Sequence, residues 1–236
     1  MTEAPRFPPL LRGVAAGSGE DPFEKACAMA ALGCDGGTLV YSLMADRLRA
    51  ALVFAPEVPL EDAMAMVPVC GVGFQNALGA LAPPEVAVQL TWDGGIRVNG
   101  AGCGFLQARA SRSEARAVPE WLVVGIEISL MQTETDPGAN PDVTALHDEG
   151  CADMGPNYLL EGWARHTLVW INRWGDEGNA SLHDQWMGLL VGVGEPIERA
   201  GVRGVFLGVD EKFGMLIRDN ETTHLVPLSS LAGEPT

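Results

Sequence analysis

The side chains of this 236-residue sequence that could do chemistry are few and scattered. His147, Asp148, Glu149 and Cys151 can all bind a metal, but their spacing fits no ligand pattern and their stretch is polar, so a solvated loop is the favoured reading. Five cysteines (Cys27, Cys34, Cys70, Cys103 and Cys151) stand singly, odd in number and without a C-x-x-C pair. That pattern points to reduced thiols in a cytoplasm, not to a disulfide framework. Gly71 and Gly73 sit too deep in a helical pattern to form a phosphate loop. Trp163, Trp170 and Trp174 recur at helical spacing, which reads as core before ligand wall. His166 and His183 read as ordinary, partly exposed histidines.

Charge narrows the partners. The formal net charge is −16, with 31 acidic side chains, and only two of the 15 cations, Lys25 and Lys212, are lysines. Such a field repels phosphates and anionic headgroups, so neither nucleic acid nor a membrane surface is expected. No positive n-region precedes an apolar stretch at the N-terminus, and no apolar run is read as near the roughly 20 residues of a membrane span.

The elements that must position these groups follow from periodicity. Residues 1–20 read as an irregular lead-in. Asp21 caps a helix with Pro22 at its first turn and Glu24 completing the box, and Gly33 stops it. Gly37 to Leu43 and Leu48 to Phe54 read as a hairpin, and Leu60 to Leu81 as a helix that Pro68 should kink or divide. Four strands are expected at Val86 to Trp92, Ile96 to Asn99, Cys103 to Ala110 and Trp121 to Leu130. Met131 to Pro156 reads as a surface loop or lid, Tyr158 to Trp174 as an amphipathic helix, and Ser181 with Asp184 as a second capping box. After Gly194 the pattern turns to three short strands, Gly201 to Val209, Gly214 to Arg218 and Thr223 to Leu228. The expected domains are 1–190 and a small β-barrel at 191–236.

Three strings carry a resemblance. Val88 to Gly100 (VQLTWDGGIRVNG) resembles the K-W-P-N-D segment of the biotin/lipoate protein ligases, Gly104-Phe105-Leu106 their Gly-Ile-Leu, and Val123 to Leu130 (VVGIEISL) their V-x-G-I-G-I-N-V strand. Gly37 to Ser42 is similar to the family's G-T-x-V-x-A strand, and the tail to the small Src-homology-like barrel of bacterial biotin ligases. The resemblance covers about residues 20–230. It implies an α+β fold with a mixed, largely antiparallel sheet and packed helices, as in class II synthetase-like ligases, plus the small C-terminal β-barrel.

It also implies a reaction. Those ligases join a carboxylate to the α-phosphate of ATP, with magnesium, and pass the acyl group to a lysine of a carrier protein. Two anions must meet, so fixed cations are required. This sequence departs at those points. Between the hairpin strands only Met44, Ala45, Asp46 and Arg47 stand where the family has a Gly/Arg loop, leaving Arg47 and Arg49 as the nearby cations. Thr91 occupies the lysine position, Trp92 matches, and Asp93, Gly94 and Gly95 replace Pro-Asn-Asp. After Asn99-Gly100 the family's second lysine is missing, Glu127 replaces a small glycine and Ser129 an asparagine. Arg97 or Arg109 could stand in as a phosphate clamp.

The mapped ligand pocket is therefore Arg47, Arg49, Thr91, Trp92, Asp93, Asn99, Cys103, Gly104, Gly125, Glu127 and Ser129. Cys103 is a weak nucleophile candidate for acyl transfer, and no metal site is expected. The expectation is a ligase-like pseudoenzyme that binds a small acyl or biotin-like ligand or a partner protein. The alternative is an active, divergent ligase, for which alone biotin, lipoate and ATP with magnesium would be required. The resemblance permits a homodimer without requiring one.

Overall fold

Alternating apolar residues set the main sheet. In the computed structural model, which describes residues 4–132 and 140–233, strands β1 (Arg12–Ala15), β2 (Thr38–Leu43), β3 (Arg47–Phe54), β4 (Val88–Leu90), β5 (Gly95–Val98), β6 (Ala101–Ala110) and β7 (Leu122–Ser129) run in the order β1-β2-β3-β7-β6-β5-β4. Its pairs are antiparallel except β1 with β2 and a last strand, β12 (Ala232–Gly233), with β6. The lead-in is thus not wholly irregular: its Arg12–Ala15 stretch adds a parallel edge strand.

Period two puts Leu48, Ala50 and Leu52 of β3 on one face with Val124, Ile126 and Ile128 of β7. That face packs on α3 (Met66–Leu81), which in turn packs on α4 (Pro156–Glu177). The stretch Leu60–Leu81 is long and apolar enough for a membrane span, with mean hydropathy 1.4, which corrects the expectation that no such run exists. Here 72% of that window is buried inside the protein. The stretch divides not at Pro68 but at Met64–Ala65, giving a short α2 (Leu60–Ala63) before α3. Pro68 falls in the first turn of α3, where the missing N–H has no helical partner to lose.

Gly73 works at the α3–α4 contact: a Cβ there would sit 2.5 Å from Thr167 Oγ1, so only glycine allows this approach. The tryptophan stripe is packing, as its spacing suggested. Trp163 Nε1 donates to the Cys70 carbonyl (3.1 Å) and Trp170 Nε1 to Asn76 Oδ1 (3.0 Å), both from α4 onto α3.

The opposite face is half covered. Helix α1 (Pro22–Ala31) sets Phe23, Ala26, Cys27 and Ala30 on Val40, Ala51, Val53 and Val123. Asp21 Oδ1 accepts from the backbone N–H groups of Phe23 (2.8 Å) and Glu24 (3.3 Å), so the helix starts where the sequence put it. Helix α5 (Ala180–Leu189) starts one residue before the expected capping box. Asn179 precedes it and binds elsewhere, accepting from Trp174 Nε1 (2.6 Å) and donating to the Glu211 carbonyl (2.8 Å).

The C-terminal unit has four antiparallel strands where three were expected: β8 (Pro196–Arg199), β9 (Val202–Val209), β10 (Met215–Arg218) and β11 (Thr223–Val226), in the order β11-β10-β9-β8. A 3-10 turn at Leu228–Leu231 then returns the chain to the main sheet as β12. The unit is therefore stitched to the main sheet by backbone pairing.

Candidate functional site

The β2–β3 connection is three residues, Met44 to Asp46, closed by the Met44 N–H donating to the Arg47 carbonyl (2.9 Å). No backbone is left over to wrap a ligand. Arg47 and Arg49, two apart on β3, project from the half-covered face opposite Ser129 and Glu127 of β7. Arg47 Nη1 donates to Glu127 Oε1 (2.9 Å). Arg49 Nε lies 2.8 Å from Glu127 Oε2, an ion pair off the direction of its N–H. Asp46 and Asp21 flank the row, each 3.8 Å from Arg47 and Arg49 respectively. Two guanidinium groups thus face three carboxylates, and the pairs are only partly screened because the Glu127 side chain is 21% exposed.

The rest of that face is filled from α1. The Phe23 ring packs so closely on Gly125 that a Cβ there would lie 2.6 Å from it. Arg109 stacks on the Phe23 ring (5.1 Å) and donates two bonds to Glu24 (2.7 and 2.9 Å). Arg109 is therefore held by a carboxylate, and this bidentate pair raises its pKa. A small pocket of about 150 Å³ remains beside Asp46, Arg47, Ser129, Met131 and Thr144.

The other mapped residues lie elsewhere. Thr91 closes its own turn, accepting from the Gly95 N–H (2.8 Å) and donating to Asp93 Oδ1 (2.6 Å). Trp92, beneath it, is 2% exposed, and its indole N–H donates to the Phe213 carbonyl of the C-terminal unit (2.8 Å). Arg199 of β8 stacks on the Trp92 ring (5.6 Å) and pairs with Asp93 (3.3 Å). These residues border a cleft between the main sheet and the C-terminal strands, with Arg97 also on its wall.

Asn99 belongs to a third place. Its Oδ1 accepts from the Ala87 N–H (2.9 Å) and its Nδ2 donates to Glu149 Oε2 (2.7 Å), while Thr144 Oγ1 donates to Glu149 Oε1 (2.5 Å). Glu149 is thus the tether of the loop that follows β7, within the helical turn His147–Cys151. No group of three metal-binding side chains occurs among the described residues. Residues 133–139 of the expected lid lie outside the described residues. Gly104 is backbone packing, since a Cβ there would strike the Glu127 carbonyl.

Cys103 is 1% exposed. Burial, helped by Glu149 and Cys151, pushes its thiol up to about 12, so it stays protonated and is a poor nucleophile at neutral pH. Cys27 is pushed up to about 11 by burial, and Cys70 is raised further for the same reason. Cys34 alone is half-buried by residue exposure. Iodoacetamide at pH 8 on native protein is expected to label Cys34 first and Cys103 only after unfolding. Early mass-mapped labelling of Cys103 contradicts the inert-thiol reading.

The structure therefore brings Arg47, Arg49, Gly125, Glu127 and Ser129 to one sheet face. It sends Thr91, Trp92 and Asp93 to the cleft, and Asn99 and Cys103 towards the Glu149 loop. The sequence reading missed Asp21, Phe23 and Glu24 as parts of the arginine face, and Arg199 and Phe213 as partners of Trp92. Asp21 and Glu24 carried only a capping signal and Phe23 only that of an apolar helix face; the last two carried none.

The sequence profile of the biotin/lipoate A/B protein ligase family matches residues 7–188. The chain belongs to that family. A separate profile, described only as a domain of unknown function (DUF4444), matches residues 193–233. A crystal structure of a biotin protein ligase-like protein of unknown function from Silicibacter sp. tm1040 is 58% identical, with TM-score 0.92, covering 98% of this chain and 100% of that one. The biotin protein ligase from Aquifex aeolicus in complex with biotin and ATP is 15% identical, with TM-score 0.70 over 92% of this chain and 94% of that one. The Leishmania major enzyme in complex with biotinyl-5-AMP is 13% identical, with TM-score 0.59 over 93% and 99%. Those two show the shared fold. No curated protein matches.

This family member does not fit ATP with magnesium at the arginine face. Both arginines are engaged by Glu127, and a triphosphate would have to displace that carboxylate and approach Asp21 and Asp46. Placing phosphate against carboxylates in a partly desolvated site opposes binding.

Proposed function

We propose that this chain is a member of the biotin/lipoate ligase family that does not activate a carboxylate with ATP and instead binds a small acyl or biotin-like acid. The observation that carries the reading is the double engagement of Glu127 by Arg47 and Arg49. Adenylation needs cations free to receive both a carboxylate and an α-phosphate. On this face the candidates are neutralised internally, Arg109 is held by Glu24, and the family's lysine positions carry Thr91, Ala101 and Gly102. The buried Cys103 supports the absence of a thiol-dependent transfer. A cytoplasmic location belongs to the same reading and is supported by the single, unpaired spacing of the five cysteines in the sequence.

The test is ATP–pyrophosphate exchange with biotin, lipoate or octanoate as the acid. Exchange no faster than a protein-free blank is expected for all three. Exchange that depends on any one acid overturns the reading and makes the chain a divergent ligase, after which transfer to biotinyl and lipoyl carrier domains identifies the acceptor.

A further inference from the structure

The cleft between the two sheets has a volume of about 530 Å³, within the range of small-molecule sites. Its floor is apolar: Trp92, Phe206 and Met215 are each 2% exposed, with Val191 and Ile197 at the sides. Strand β8 decides which charges face it. Alternation turns Ile197 and Arg199 inward and exposes Pro196 and Glu198, and Glu198 lies 4.0 Å from Arg203 on the outer side.

Asp93 compensates Arg199 at 3.3 Å. Arg97 donates only to the Gly100 carbonyl (3.2 Å) and has no carboxylate partner among the described residues. Glu195 is exposed on the rim. The mouth therefore offers one uncompensated cation above an apolar floor. A triphosphate would meet Asp93 and Glu195 with that single uncompensated cation and is disfavoured. One carboxylate on an apolar tail matches both parts of the cleft.

We propose that this cleft is the binding site for a small monocarboxylic acid, its tail on Trp92, Phe206 and Met215 and its carboxylate at Arg97. The proposal rests on the reading that the chain binds a small acid, and it names the place and the charge. It also moves the ligand away from the arginine face, which Phe23 and Glu127 already fill.

Octanoate titrated against protein carrying 13C-methyl methionine tests it, because the nine methionines include a reporter for each site. Met215 lies on the cleft floor, and Met131 lines the small pocket beside Arg47 and Ser129. A saturable shift of the Met215 methyl with Met131 unmoved is expected, as is at least a tenfold loss of octanoate affinity in Arg97→Ala. Movement of Met131 without Met215 overturns the cleft and leaves the small-acid reading standing. No shift at millimolar octanoate overturns both, while the non-adenylating reading is still decided by pyrophosphate exchange. Unchanged affinity in Arg97→Ala overturns the carboxylate placement.

Discussion

Trp92→Ala is expected to destabilise the protein by about 3–5 kcal/mol, the usual loss for truncating a fully buried tryptophan. The indole is 2% exposed and has two partners in the C-terminal unit. It hydrogen-bonds the Phe213 carbonyl at 2.8 Å, lies under the Arg199 guanidinium, and forms part of the floor of the cleft between the two sheets. Both partners sit beyond residue 190, while Trp92 belongs to the turn before β5. The side chain therefore pins the C-terminal sheet to the main one. Trp92→Phe separates the contributions, keeping most of the apolar area but leaving the Phe213 carbonyl without its donor, at about 1–3 kcal/mol. Urea unfolding of the three proteins measures both steps. Limited proteolysis of Trp92→Ala should also cut first within residues 191–231, since that unit would lose its buried anchor and keep the short β12 pairing, the Lys212 contacts with α2, the Asn179–Glu211 bond and the exposed Arg199–Asp93 pair. A loss under 1 kcal/mol in Trp92→Ala would show that the two units hold together without it.

The same residue illustrates what a sequence can and cannot disclose. Period-two alternation in β3 and β7 and the tryptophan spacing of α4 were legible because a single buried face dictates them. The capping of α1 by Asp21 was legible because its partners are two and three residues away. Strand β1 was not, since four mostly exposed residues, Arg12–Ala15, show no alternation and gain their place by pairing with β2. Strand β8 was missed for a similar reason, and so was β12, two residues long.

The site was legible as a set of residue types and not as an arrangement. Motif matching located Thr91, Trp92, Glu127 and Ser129, but it could not show that Trp92 turns to the C-terminal unit while Glu127 turns to Arg47 and Arg49. Those directions depend on contacts spanning 121 and 80 residues. Glu127 looked like a carboxylate added to a phosphate pocket. In the fold it is the counter-ion of the two arginines next to the shortened loop.

Glu127→Gln is accordingly expected to do two opposite things. The amide keeps the shape but removes the charge, leaving Arg47 and Arg49 side by side on β3 with only the more distant Asp46 and Asp21. Because these side chains are between 21% and 37% exposed, the cost is about 1–2 kcal/mol and not the larger loss of a fully buried pair. The released guanidinium groups should then accept an external anion. At least a tenfold gain in inorganic pyrophosphate affinity over the parent protein is expected, equivalent to about 1.4 kcal/mol, and it should fall steeply with salt. Adding Arg49→Ala to Glu127→Gln should cancel the gain, whereas Arg49→Ala alone should bind no more pyrophosphate than the parent. Calorimetric titration of the four proteins at low ionic strength gives the comparison. Equal pyrophosphate binding by Glu127→Gln and its parent would mean that the arginines are occupied by Asp21, Asp46 or the backbone even without Glu127. The internal carboxylate would then not be what closes this face to phosphate.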